Sequence, residues 1–265
     1  MKRGNKFNGN AGPAWWILVF AGLYYAVLVA FAYTKYTPAS IFEVFLSADI
    51  LRALRLSLFS SVTASAFAML VAVPAAYSLS RRRGRLSALL DTVVDIPLVL
   101  SPIALGALLL VFFSGRPGEI LAGLGLPVVF TFAGIVVAQF SIVTALAIRL
   151  LKSTFDNIDP RYEKMSRVLG CTGRQAFFRV ALPMARNGII ASLVLVWARS
   201  MGEFGATIML AGAMPGVTET LPVSIYLSFA SADVERALAV TGILLVISLG
   251  SLAAIKYFSP GRHML

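Results

Sequence analysis

Apolar runs of membrane-spanning length, separated by short polar segments, fill most of the 265-residue chain. A spanning helix needs about 20 consecutive apolar residues, and runs of that order cover residues 14–34, 54–79, 93–113, 130–151, 187–211 and 236–258. Hydrophobic residues make up 58% of the chain and charged residues 13%, which nearly excludes a water-soluble domain. The expected fold class is therefore an all-α integral membrane protein with six transmembrane helices. The net charge of +11 would suit nucleic acid, but the basic residues sit in short segments between the runs, where the positive-inside rule places them, so no nucleic-acid partner is expected. A single cysteine, Cys171, forbids an intrachain disulfide, and one histidine, His263, forbids a His-rich metal cluster.

Charge sets the expected topology. Residues 1–13 form a basic inner tail with Lys2, Arg3 and Lys6, and Trp15 and Trp16 follow as interfacial anchors. Ala30-Phe31-Ala32 has the small-residue spacing of a signal-peptidase site, but the run is longer than a signal-peptide core, so retention of the helix is expected. Residues 35–49, with Pro38, make an outer loop. Arg52 and Arg55 then stand on the outer side, which suggests a surface-lying start to the second segment, and Pro74 is placed to bend it. Arg81-Arg82-Arg83-Gly84-Arg85 marks an inner loop. Pro97 and Pro102 break the backbone ladder at one end of the third span, so that end is expected against other helices rather than lipid. Asp91 and Asp95, one turn apart, resemble paired carboxylates for acid–base work, but their place beside the arginine loop reads as offsetting that charge. Residues 114–127 form an outer turn, and residues 214–234 an outer loop with a short amphipathic piece over 221–229. Lys256, Arg262 and the tail 259–265 return inside, so both termini are expected in the cytoplasm of a cell-membrane protein.

One long polar insertion interrupts this pattern. Across residues 159–183, Asp159 can cap a helix opened by Pro160, and Gly170 can supply the left-handed residue that ends it. Thr172 and Gln175 form a capping-box pattern for a second helix, expected to end before Leu182-Pro183. A helix-turn-helix outside the bilayer results, and on composition alone it could lie on the lipid surface through its arginines. Glu163, Gly170, Leu182 and Pro183, placed between two late spans, resemble the conserved cytoplasmic loop of binding-protein-dependent ABC transporter permeases. Lys164 and Met165 stand where that family usually carries small residues. The resemblance implies a type I ABC importer permease fold in which this loop couples to a separate ATPase. Glu163 and Arg174 would fix the loop's shape or meet the ATPase, Gly170 and Gly173 would give its sharp turns, and Leu182 and Pro183 would join it to the fifth span.

Polar residues inside the spans mark a candidate pathway. Arg199 and Glu203 lie four apart in the fifth run, where charge is expensive unless paired or functional. Gly202 and Gly205 beside them would allow close approach of a backbone or ligand. Gln139, Ser141 and Thr144 of the fourth run either face a route or bond to neighbouring helices, and Ser101 and Thr207 complete the candidate set. Residues 198–207, Ala-Arg-Ser-Met-Gly-Glu-Phe-Gly-Ala-Thr, are similar to the fifth helix of permeases for tetrahedral oxyanions, the sulfate and molybdate group. Asp95 to Pro102 and Glu219 to Tyr226 look more specifically like the molybdate permease subunit, although Asp95 itself departs from many relatives.

The resemblance, which runs from about Leu51 to Tyr257, implies a homodimeric pathway with two ABC ATPase subunits at the cytoplasmic face and an extracytoplasmic oxyanion-binding protein. Molybdate or tungstate would be the cargo, with sulfate or thiosulfate as the alternative. ATP and Mg would belong to the partner, since this chain has no Gly-rich phosphate loop ending in Lys-Ser or Lys-Thr, and no cofactor, metal or catalytic residue is assigned to it. A secondary transporter would use Asp95 and Glu203 as membrane carboxylates. An intramembrane enzyme would need a clustered nucleophile and base, which the sole histidine in a tail does not supply.

Overall fold

A computed structural model describes residues 12–34, 47–82 and 84–258, and no strand occurs among them. The N-terminal tail through residue 11, Pro38 with most of the first outer loop, Arg83, and the tail 259–265 with Arg262 and His263 lie outside the described residues. The helices in chain order are α1 Gly12–Thr34, α2 Ala48–Arg81, α3 Arg85–Val99, α4 Pro102–Ser114, α5 Arg116–Gly123, α6 Phe132–Asp156, α7 Arg161–Val168 and α8 Gly173–Ala176. A π-helical turn, Phe177–Ala181, leads into α9 Leu182–Met184, α10 Arg186–Met201, α11 Gly205–Ala211, α12 Leu221–Ala230 and α13 Val234–Phe258. Among the described residues, four helices are each long and apolar enough to cross a membrane, and the number reaches six when each of two bent helix pairs counts as one span.

The chain is built on α2 and α6, which make the most extensive helix contact in the molecule. Tyr77 near the end of α2 stacks edge-on against Phe155 near the end of α6, so the two helices run parallel and finish at the same face. Their shared surface is made small: Ala68, Ala72 and Ala76 of α2 and Ala138 and Ala147 of α6 are fully buried, which lets the backbones close up where no hydrophobic effect drives association in lipid. The core then takes in Val196 of α10 and Ala206 and Leu210 of α11. At the opposite end Ile50, Ala53, Met201, Leu221, Val240 and Ile243 form a second cluster.

The second segment has no separate surface-lying start. The α2 helix is continuous for 34 residues and runs through Pro74; at 1.5 Å per residue it is about 51 Å long. Arg52 is instead held within it by Asp49, at 2.7 Å. With about 30 Å of hydrocarbon to cross, the surplus carries Tyr77 and Arg81 out to the polar hairpin. The expected amphipathic piece after residue 220 is α12, seated against α2: Leu221, Val223 and Ser224 are buried, and the Leu221 N–H donates to Ser57 Oγ at 2.7 Å.

Two spans read as continuous from their hydropathy are broken. The third divides into α3 and α4, bent by 105°: Pro102 disfavours helical geometry at Ser101, which with Leu100 is extended. Ser101 then caps α4, accepting from the Ala104 N–H at 3.2 Å. The expectation that the proline-rich end packs against other helices holds at Pro102, which meets Gly205 of α11, but not along α3, which has no buried residue and whose Val99 is 85% exposed. The fifth run stops at Met201 and restarts at Gly205. The two breaks meet: a Cβ on Gly205 would lie 2.9 Å from Pro102 Cβ, and one on Gly106 would lie 2.7 Å from the Ala206 Cα.

Gly106 is thus where α4 and α11 cross with no room for a side chain. Gly106→Val is expected to cost about 1–3 kcal/mol by overpacking, read as a lowered thermal unfolding midpoint in detergent. Gly123→Ala, which meets no atom within 4 Å, should leave that midpoint unchanged.

Candidate functional site

The polar insertion forms an ordered hairpin bolted to the ends of α2 and α6. Asp159 Oδ1 accepts the Arg161 N–H at 2.9 Å, but the N-cap position of α7 falls on Pro160, one residue later than expected. Gly170, at φ +95°, makes the turn that follows, a conformation costly for residues with a Cβ. The Thr172–Gln175 capping box is fully formed. Gly173 differs from expectation: it opens α8 in ordinary helical geometry, so the sharp turn belongs to Gly170. The second helix also does not end before Leu182-Pro183. A π-helical turn lets the Leu182 N–H reach the Phe177 carbonyl, absorbing the register change around a proline that has no N–H to give. The chain continues helically to Met184 and turns by 71° into α10. Gly188 permits that exit, since a Cβ there would lie 2.3 Å from Thr154 Cγ2 of α6.

Glu163 is the anchor of the hairpin. It is 7% exposed, accepts from Arg81 Nε at 2.9 Å and from the Tyr77 hydroxyl at 2.5 Å. Arg81 is in turn fully occupied: it also donates to the carbonyls of Phe155 at 3.0 Å and Ile158 at 3.1 Å. Tyr77, Phe155 and Phe177 pack as a ring cluster beneath the pair. The outer surface of the hairpin carries exposed Tyr162, Met165, Val168, Leu169 and Phe178, with Val168 and Leu169 each about four-fifths exposed, and Arg174 lies over the Phe178 ring at 5.9 Å.

A second ionic knot was not legible in the sequence. Arg149 of α6 pairs with Asp91 at 2.7 Å and with Asp95, and donates to the Asp91 carbonyl, tying α3 to α6. The two carboxylates therefore answer Arg149, not the arginine loop. The only available signal was one Arg at the inner end of the fourth run and two acids on one helix face, with nothing in the spacing to pair them.

The pathway candidates separate into groups. Arg199 and Glu203 do pair, at 2.7 Å, but across the helix break rather than along one helix. Glu203 is 1% exposed and its other oxygen accepts the Ala206 N–H at 3.1 Å, capping α11, while the Arg199 side chain remains 40% exposed. Gly205 admits the α4 backbone, whereas Gly202 has no close neighbour demanding glycine. Ser141 and Thr144 each donate to a carbonyl of their own helix, at 2.8 and 2.6 Å. Ser101 is exposed at the start of α4, and Thr207 is buried with its hydroxyl lacking a partner. Gln139, weighed in the sequence beside Ser141, is 1% exposed with Oε1 unpartnered.

Residues 64–263 match the model of the binding-protein-dependent transport system inner membrane component. The chain belongs to that family. The permease is 32% identical to the "Probable transport system permease protein NifC" of Clostridium pasteurianum, over 87% of this chain and 82% of that protein. It is 35% identical to the molybdenum transport system permease protein ModB of Mycobacterium tuberculosis (74% and 75% covered), and 32% identical to the sulfate transport system permease protein CysT of Escherichia coli (80% and 77%). Among solved structures, a bacterial alginate ABC transporter in complex with an alginate-bound periplasmic protein contains a chain that superposes with a TM-score of 0.71 at 18% identity, covering 95% of the permease and 96% of that chain. The permease is thus a multi-pass membrane subunit of the type I ABC importer class, with the all-helical fold expected of it.

Glu163→Ala would leave Arg81 charged and unpaired in a nearly closed site, where breaking a buried pair costs about 3–5 kcal/mol. A lowered unfolding midpoint and faster tryptic cleavage at Arg167 and Arg174 are expected. The double variant Arg81→Met with Glu163→Leu should recover part of the loss, since it leaves no orphaned charge.

Proposed function

We propose that the permease imports molybdate or tungstate as a homodimer, receiving the ion from an extracytoplasmic binding protein and driven by two ATPase subunits docked on its hairpins. The observation that carries the coupling role is the hairpin's construction: an exposed apolar surface of Tyr162, Met165, Val168, Leu169 and Phe178 on a support fixed by Glu163. A lipid-lying hairpin would not need that support. Because Glu163 is buried and committed to Arg81 and Tyr77, its role is to hold the hairpin's shape, while the exposed Arg174 is free to meet the ATPase. Closure of the ATPase subunits on ATP would move the two hairpins together. The Glu163–Arg81 knot would pass that displacement to α2 and α6 without slack, and hydrolysis would reverse it. Thr172, Gly173, Leu182 and Pro183 act in this scheme by shaping the hairpin and its exit. The hairpin face is then cytoplasmic, as the basic loop at Arg81 to Arg85 also requires, and both termini lie on that side.

The cargo reading rests on the molybdenum permease relatives and on Arg199. One of its nitrogens is spent on Glu203, and the remaining donors stay partly exposed beside the paired helix breaks, where Ser101 also lies. A guanidinium with free donors suits a tetrahedral oxyanion. The sulfate permease relative supports sulfate as the second reading. An ion-gradient mechanism fits less well, since its two carboxylates, Asp95 and Glu203, are both bound to arginine.

The test is coupled ATP hydrolysis and uptake by the permease co-reconstituted with its ATPase and loaded binding protein. Molybdate or tungstate should stimulate both, sulfate stimulation would move the permease to the sister cargo, and no ATPase complex would undo the hairpin reading. Gly170→Asp should preserve membrane insertion yet abolish stimulation of hydrolysis by cargo. Arg199→Gln should cut uptake at least tenfold with basal ATP hydrolysis retained; unchanged uptake would leave Arg199 as a packing group.

A further inference from the structure

We infer that the cleft between the end of α2 and the outward face of α3 is a binding site for one anionic phospholipid of the surrounding bilayer. The cleft measures about 390 Å³ and is lined by Ala75, Leu79, Leu86, Leu90 and Val94, with Arg82 at its polar end. Leu86 and Leu90 are 71% and 50% exposed in the chain, so the cleft is open at the surface and its apolar rim is free to meet a bilayer. Its aliphatic wall fits an acyl chain, but lipid tails are as apolar as leucine, so the wall alone cannot choose among lipids. The choice falls to charge.

Arg82 is the cation placed to make it. The neighbouring acids are already committed: Asp91 to Arg149, Glu163 to Arg81, and Asp156 to Lys152 and the Ser80 hydroxyl. Arg82 forms no ion pair among the described residues. It also borders a second cavity of about 570 Å³ that shares the Leu79–Ser87 rim; there Arg81 is paired with Glu163 and Lys152 with Asp156, and the lining Asp91 is paired with Arg149, which leaves Arg82 as the unpaired charge. A phosphodiester at Arg82 with one tail along Leu86, Leu90 and Val94 satisfies the charge and fills the cleft together. A soluble phosphate would use only the first half of the site. A seated lipid would brace α3, which buries none of its own residues and is otherwise held by Arg149 and by partial packing of Val94 on the core.

Native mass spectrometry of the full-length permease, titrated with phosphatidylglycerol and with phosphatidylcholine of the same chains, tests this without any partner subunit. At least tenfold tighter binding of phosphatidylglycerol is expected. Arg82→Gln should bring the two lipids to within about threefold of each other, which at 1.4 kcal/mol per tenfold removes about half of a tenfold headgroup preference. Leu90→Trp, which fills the cleft and leaves the charge in place, should weaken both lipids in parallel. Equal binding of the two lipids by the unaltered chain, or a preference untouched by both variants, would overturn the assignment. Displacement of the lipid by glycerol 3-phosphate at equal concentration would also overturn it, showing a headgroup site alone.

Discussion

The contact between Arg81 and Glu163 is the constraint on which the rest of the architecture turns. A helix of polar sequence such as α7 has no reason to stay against the ends of membrane helices, since its own surface is satisfied by water. It stays because one carboxylate is withdrawn from solvent into a site where Arg81 and the Tyr77 hydroxyl replace the lost hydration. Arg81 reaches that site because α2 runs beyond the thickness it must cross, and it is aimed there by the Phe155 and Ile158 carbonyls, which accept from it at the close of α6. Length of one helix, end of another and burial of one acid are thus a single arrangement. Removing any of the three leaves a charge or a carbonyl without a partner.

The same logic explains why α6 is the axis of the molecule. It is packed along its length against α2, carries Arg149 toward α3, and presents Thr154 to the glycine at which α10 leaves the hairpin. Each connection is short-ranged, so a shift at the hairpin has several rigid routes into the membrane region and few compliant ones. The paired Asp91 and Asp95 make the α3 connection stiff in direction as well as in length, because two carboxylates one turn apart engage a single planar guanidinium.

Local features of the sequence carried much of this. Apolar length announced the membrane helices, Gly170 announced its left-handed turn, and Thr172 with Gln175 announced a capping box, because each depends on neighbours within four residues. What hydropathy could not register was continuity. The third and fifth runs are each apolar and long enough for one span, yet each is interrupted, and apolarity is indifferent to backbone direction. Pro102 hinted at one break. The other, at Gly202 to Phe204, had no proline to mark it, and the spacing of Arg199 and Glu203 suggested an unbroken helix face. Pairings across long separations, such as Arg149 with Asp91 and Asp95 or Tyr77 with Glu163, were invisible because opposite charges in a sequence do not state which helix they will meet. Pro183 misled in the other direction: its missing N–H was accommodated by a π-helical turn, so a residue read as a stop became a passage.

The two breaks explain each other. An interrupted helix within a membrane exposes N–H groups that lipid cannot satisfy, and each break supplies its own remedy: the Ser101 hydroxyl accepts at the start of α4, and the Glu203 carboxylate accepts at the start of α11. A carboxylate is an expensive cap unless its charge is met, and Arg199, one turn back across the break, meets it. The interruptions are then locked together by Gly205 against Pro102 and by Gly106 against Ala206, contacts so close that neither helix can move along the other without the partner breaking register. A continuous fifth helix would carry Glu203 past its capping position and strip α11 of both the cap and the close approach. The break is therefore part of the packing of the permease, and the half-exposed Arg199 is left at its edge by the same geometry that buries Glu203.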